Sequence, residues 1–223
     1  MTRHSDDAGH KEKFLLERIA FFSDAVFAIA ITLLIIEIKV PDIDRGNVTD
    51  EALLDAIVRL IPKFIGFFVS FFVIGLYWMS HHRLFRYLER YNARLLWINL
   101  WFLLTLVLMP FSAAFLSDYY DGRLKVPLGF YMVNIGFSGL FSYLLWRTAG
   151  NPAQQLTDGL HPAILRYNAT RALATPFIFV LVFIISFIWP TLVYVILPLT
   201  PVVSALIRRH YRRKYPEIMR LHS

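Results

Sequence analysis

Residues 18–36 read RIAFFSDAVFAIAITLLII. Apart from Arg18, Ser23, Asp24 and Thr32, every side chain in this stretch is apolar, and the apolar run extends from about Leu15 to Val40. About 20 such residues cross the ~30 Å hydrocarbon core of a bilayer as a helix, so the stretch is long enough to span one. Ionisable groups at that depth are costly and by default mark function. The plainer reading is a tethering helix whose polar residues sit at the membrane interface. At about 100° per residue, Arg18, Phe22, Ile29, Leu33 and Ile36 fall on one stripe with Thr32 beside it. Ser23 and Asp24 fall well off that stripe and turn toward neighbouring helices. A carboxylate buried there requires partners.

The chain around this stretch repeats its apolar character. Of 223 residues, 57% are hydrophobic and 17% charged, against about a quarter charged in soluble domains. The class is all-α, a polytopic membrane protein forming one six-helix domain over residues 1–223. The spans are expected at about 15–40, 62–85, 95–116, 126–146, 172–189 and 190–207, with short tails at both ends. Between the first two, Glu51 to Lys63 reads as a short amphipathic helix ending near Pro62, and the third span should kink or break at Pro110. Residues 147–171 read as a loop plus a short surface helix. Trp78, Trp97, Trp101, Trp146 and Trp189 lie near span ends, as interfacial aromatics do.

Six spans put both termini on one side. Seventeen of the 23 Lys and Arg residues fall on that side and six on the other, which by the positive-inside rule makes both termini cytoplasmic. The net charge of +7 is therefore a topology signal flanking apolar runs and not a nucleic-acid footprint. With no Cys, disulfides, thiolate metal sites and Cys nucleophiles are excluded. No His-Glu-x-x-His, Gly-x-Ser-x-Gly, P-loop or paired intramembrane carboxylate is present, so neither an enzyme nor a cofactor is expected. The segment after the first span is acidic, with Glu37, Asp42, Asp44, Asp50, Glu51 and Asp55; it is a solvated loop or a ring that concentrates cations at a pore mouth.

Partners for Asp24 are expected at the same side of the membrane, at the end of the second span. Trp78 supplies an indole donor there, and His81 follows three residues later. Asn99 in the third span is a further candidate for interhelical hydrogen bonding.

Arg18, Phe22, Ser23 and Asp24 spell Arg-x-x-x-Phe-Ser-Asp at the start of a first span, and Trp78 and His81 spell Trp-x-x-His at the end of the second. This resembles the lysosomal potassium channel family, in particular its bacterial single-repeat members; the motif occurs here once, as in one repeat per chain. The resemblance implies a homotetramer around a central pore lined by the first helices. Potassium, with other monovalent cations, would be the permeant in a bacterial plasma membrane. It also implies hydrophobic constriction by the residues five, nine and twelve after the motif Asp, here Ile29, Leu33 and Ile36. Thr32 would supply a hydroxyl ring able to coordinate or orient a cation, while Arg18, Phe22, Ser23, Asp24, Trp78, His81 and Asn99 would hold helices together. A competing reading is a secondary transporter or proton path using Asp24 and His81 as a relay. The chain shows no internal repeat of the kind alternating access uses.

Overall fold

The computed structural model describes residues 2–43, 46, 48–119, 124–158, 160–189 and 199–217, and the side chains of all of these except 2–11 and 199–201. The protein is all-helical: among the described residues the β-structure is one isolated bridge between Leu88 and Thr157. Among the described residues five helical stretches are long and apolar enough to cross a membrane.

The first helix, α1, runs Thr2–Ile36 without interruption, about 52 Å at 1.5 Å per residue. It therefore starts well before the apolar run and overshoots the hydrocarbon at that end. Helix α2 spans Asp50–Phe85. Thr49 caps it by accepting from the Ala52 amide at 3.2 Å, and Asp50 and Glu51 sit in the first turn, where the helix dipole favours acids. The sequence suggested two elements here, an amphipathic helix and then a span. The structure has one, with Pro62 inside it. A proline costs one backbone hydrogen bond, and the helix formers on both sides carry the helix through.

The third apolar run breaks into α3, Ala93–Val107, and α4, Met109–Tyr119. The break falls at Leu108 and not at Pro110 itself. Pro110 lies in the first turn of α4, where its missing N–H has no helical partner to lose. The backbone bonds Leu108 N–Leu104 O (3.1 Å) and Ser112 N–Leu108 O (3.0 Å) keep the two pieces nearly continuous.

Helix α5 is Val126–Ala149 and α6 is Pro162–Ser186. The expected surface helix and fifth span are thus a single element, beginning ten residues before Ala172. His161 caps it through Nδ1, which accepts from the Ala163 amide at 3.1 Å, and nothing between Tyr167 and Arg171 breaks it. The last described helix, α7, is Leu199–Lys214. Residues 190–198, the first half of the expected sixth span, lie outside the described residues, as do Asp44 and Arg45 of the acidic loop. The basic segment 208–214, read from sequence as a tail, is helical.

Helix α5 is the hub of the bundle. It packs most extensively on α6 and also against α3 and α4, while α1 packs on α2, α3 and α4. Its inward polar residues tie it to its neighbours: Tyr131 to Ser70 (2.9 Å), Asn134 to Ser112 (3.1 Å), Ser138 to Thr105 (2.8 Å) and Trp146 to Ser80 (3.1 Å). Trp146 is therefore buried in the core and not an interfacial anchor, whereas Trp97, Trp101 and Trp189 are exposed. Against α6, Gly139 faces the Pro176 ring and the carbonyl of Ala172, the one that Pro176 leaves without a helical donor. A methyl at Gly139 would stand 2.9 Å from that oxygen, closer than real side chains pack.

Candidate functional site

The two faces of α1 meet different surroundings. Leu16, Ser23, Phe27, Ala30 and Leu34 are buried against the bundle. On the opposite side Phe22 (55%), Ile29 (58%), Leu33 (38%) and Ile36 (65%) are exposed in the protomer, with Arg18 and Thr32 on the same side. The split follows the helical repeat, since each set recurs every three to four residues.

The inward face is fixed by a chain of hydrogen bonds across three helices. The Ser23 hydroxyl donates to the Ile19 carbonyl (2.9 Å) and accepts from Asn99 Nδ2 (3.0 Å). Asn99 Oδ1 lies 2.9 Å from His81 Nε2. With its own proton committed to Ile19, Ser23 can only accept, so Asn99 must turn its oxygen to His81 and Nε2 must carry the ring proton. His81 is buried and boxed by rings, stacked on Phe85 at 4.3 Å and Phe102 at 5.9 Å, with Phe27 at 5.4 Å. Its neighbour His82 is exposed.

Asp24 belongs to a second, separate brace. Its Oδ1 accepts from Trp78 Nε1 at 2.9 Å, at the rim and not in the core. Asp24 and His81, the two ends of the relay reading, share no hydrogen bond: each is committed to a different partner.

Of the residues singled out in the sequence, Ser23, Asp24, Trp78, His81 and Asn99 converge here. Arg18 and Phe22 do not. Both border an open groove of about 400 Å³ between α1 and the start of α3, and Arg18 has no hydrogen bond or ion pair with any described residue. Thr32 is exposed and donates its proton to the Ile29 carbonyl at 2.9 Å. That bond fixes the rotamer and leaves the oxygen's lone pairs available to a cation or water. Among the described residues no three His, Asp or Glu side chains gather as a metal site.

Sequence reasoning missed two polar groups. One is the α5 ladder, whose signal was the i, i+4 spacing of Asn134 and Ser138 within an apolar run. The other is the pair Arg83, in the last turn of α2, and Arg171, in the body of α6, which lie within electrostatic reach of each other.

Fold and site together define a polytopic helical membrane protein whose first helix is braced on one face and apolar and unpartnered on the other. The family model for the endosomal/lysosomal potassium channel TMEM175 matches residues 18–110. A potassium channel of Streptomyces collinus is 34% identical over 197 residues, covering 87% of this chain and 90% of that one. The crystal structure of a lysosomal potassium-selective channel TMEM175 homolog from Chamaesiphon minutus superposes with a TM-score of 0.69 at 26% identity, over 88% of this chain and 97% of that one. The mouse endosomal/lysosomal proton channel TMEM175 is 31% identical over 156 residues, which cover only 30% of its length. The chain belongs to the TMEM175 family.

Proposed function

We propose that this chain is the pore-forming subunit of a potassium-permeable cation channel, in which four copies place α1 around a central axis. The observation that carries the reading is the outward stripe of α1: Ile29, Leu33 and Ile36 are large, apolar and exposed in the protomer, while the opposite face is held by the Ser23–Asn99–His81 chain. One helix cannot enclose a pore, and closed rings of like subunits are what symmetry favours. From Ile29 to Ile36 the stripe covers about 10 Å along the helix. Rings of such side chains, when narrow, exclude water and so gate conduction. Thr32 lies within this length and turns a polar oxygen toward the same side. The excess of Lys and Arg on the side of the membrane assigned to the termini supports cytoplasmic ends, as expected in a bacterial plasma membrane. Potassium is the expected permeant, together with other monovalent cations.

The relay reading has less support, because Asp24 and His81 end in different hydrogen bonds and no described chain of polar groups joins them.

Purified protein in liposomes with a potassium gradient tests the proposal. A channel gives passive flux that scales with the gradient, whereas saturating, proton-coupled uptake sinks it. Ile29→Asn places a polar side chain in the constriction and should raise leak or broaden ion preference. Unchanged conductance and selectivity in that variant would mean that another face lines the path. Native mass measurement of the reconstituted assembly should give four chains.

A further inference from the structure

Three arginines from three helices gather at the end of the bundle that also holds the start of α1. Arg83 lies in the last turn of α2, Arg171 one residue before the apolar part of α6, and Arg208 in α7. Arg171 and Arg208 are both within electrostatic reach of Arg83. Helices α6 and α7 are held together there by a Thr170–Tyr211 hydroxyl contact of 3.1 Å.

What sets Arg171 and the half-buried Arg83 apart is that guanidinium nitrogens of both are buried and uncompensated. Arg171 is only 8% exposed. Its Nη1, together with Nε and Nη2 of Arg83, is buried without a hydrogen-bond partner. Among the described residues the ion pairs are Lys63–Asp118 and Arg90–Glu12, so neither buried guanidinium meets a carboxylate. Arg83 has the carbonyl end of α2 nearby, worth a fraction of a charge. Arg171 stands in the body of α6 and has no such end beside it. A cavity of about 20 Å³, bordered by Arg171, Ser80, Ser142, Thr175 and Ser204, has room for a single water. A water can satisfy one N–H but brings no negative charge, and buried guanidiniums require one.

We propose that Arg83, Arg171 and Arg208 form a binding site for a phosphate oxyanion, supplied by the headgroup of an anionic phospholipid. The chemistry fits: guanidinium presents paired N–H donors that match two phosphate oxygens, and Arg is weakly hydrated enough to do so partly buried. The level fits as well. Arg83 follows the apolar part of α2 and Arg171 precedes that of α6, so both lie where the hydrocarbon gives way to headgroups. Basic pockets between transmembrane helices at this level hold anionic headgroups. Arg208, exposed and followed by Arg209, Arg212, Arg213 and Lys214 along α7, would draw such a lipid in and close over its phosphate.

The test uses the full-length protein, stripped of lipid in a non-ionic detergent, and reads thermal unfolding as lipid is added back. Ion flux plays no part in the readout, so it stands apart from the channel proposal. Phosphatidylglycerol should raise the midpoint by several degrees and phosphatidylcholine should not. Arg171→Met and Arg83→Met should abolish the rise while unfolding at or above the wild-type midpoint in the lipid-free state, because they remove an unpaired charge and keep an apolar stem. Arg208→Gln should shift the half-maximal phosphatidylglycerol concentration about fivefold upward, the effect of one basic residue at a membrane surface. If inorganic phosphate at matched ionic strength produces the same arginine-dependent rise, the site stands and its anion is the free one. Equal rises with both lipids, or a rise that survives Arg171→Met and Arg83→Met, overturn the site. Should those two variants not accumulate, Arg208→Gln decides: an unchanged half-maximal concentration overturns it.

Discussion

Two polar clusters lie near the same end of this bundle, and they are built on opposite principles. Around Ser23, Asn99 and His81 every partner is supplied by the same chain, one within α1 and two across helices, with distances of 2.9–3.0 Å. Around Arg83 and Arg171 the donors are buried and the acceptor is missing. The first cluster can fix helix positions because nothing outside the chain is needed to complete it. The second cannot be completed by the described residues, and its content depends on what the surroundings provide. A closed hydrogen-bond chain belongs to architecture, while an open one of a single charge sign belongs to recognition.

This contrast is broken most forcefully at Asn99. Asn99→Leu leaves the His81 Nε2 proton buried without an acceptor and removes the donor to Ser23, a loss of about 2–4 kcal/mol that should appear as a large drop in the unfolding midpoint of the purified protein. Arg171→Met should carry the opposite sign in detergent without anionic lipid, a gain of about 1–2 kcal/mol from removing an unpaired buried charge. If both variants destabilise alike, the two clusters are not different in kind. Trp78→Phe deletes the rim bond to Asp24 and keeps the ring, for a loss of about 1 kcal/mol, distinctly smaller than that of Asn99→Leu in the same assay. Asp118→Asn sets the floor: its pair with Lys63, 2.6 Å apart but with side chains 30% and 45% exposed, should contribute under about 1 kcal/mol, and less in high salt.

Much of this was legible in the sequence because polar residues stand out against apolar runs. Ser23, Asp24, Asn99, Trp78 and His81 could be picked out, and so could the stripe of Ile29, Leu33 and Ile36, since one helical repeat generates it. Which partner each would take was not legible. Asp24 was open to His81 or Trp78, and only the rotation of α1 against α2 and α3 assigns it to Trp78. Element boundaries failed where local breakers were overridden, at Pro62 inside α2 and at the polar start of α6. Arg83 and Arg171 were read as flanking charges that set topology. A linear chain cannot separate an arginine that reaches out to water from one that neighbouring helices have covered.

The closed circuit through Ser23, Asn99 and His81 also sets an order of events during biogenesis. Its bonds form within one chain, so a newly inserted protomer can reach its final internal structure alone, with the outer side of α1 still facing lipid. Assembly of the proposed tetramer would then join finished parts, as in a two-stage view of membrane protein assembly. Dissociation by harsh detergent should accordingly release folded single chains that can reassemble, and not unfolded ones.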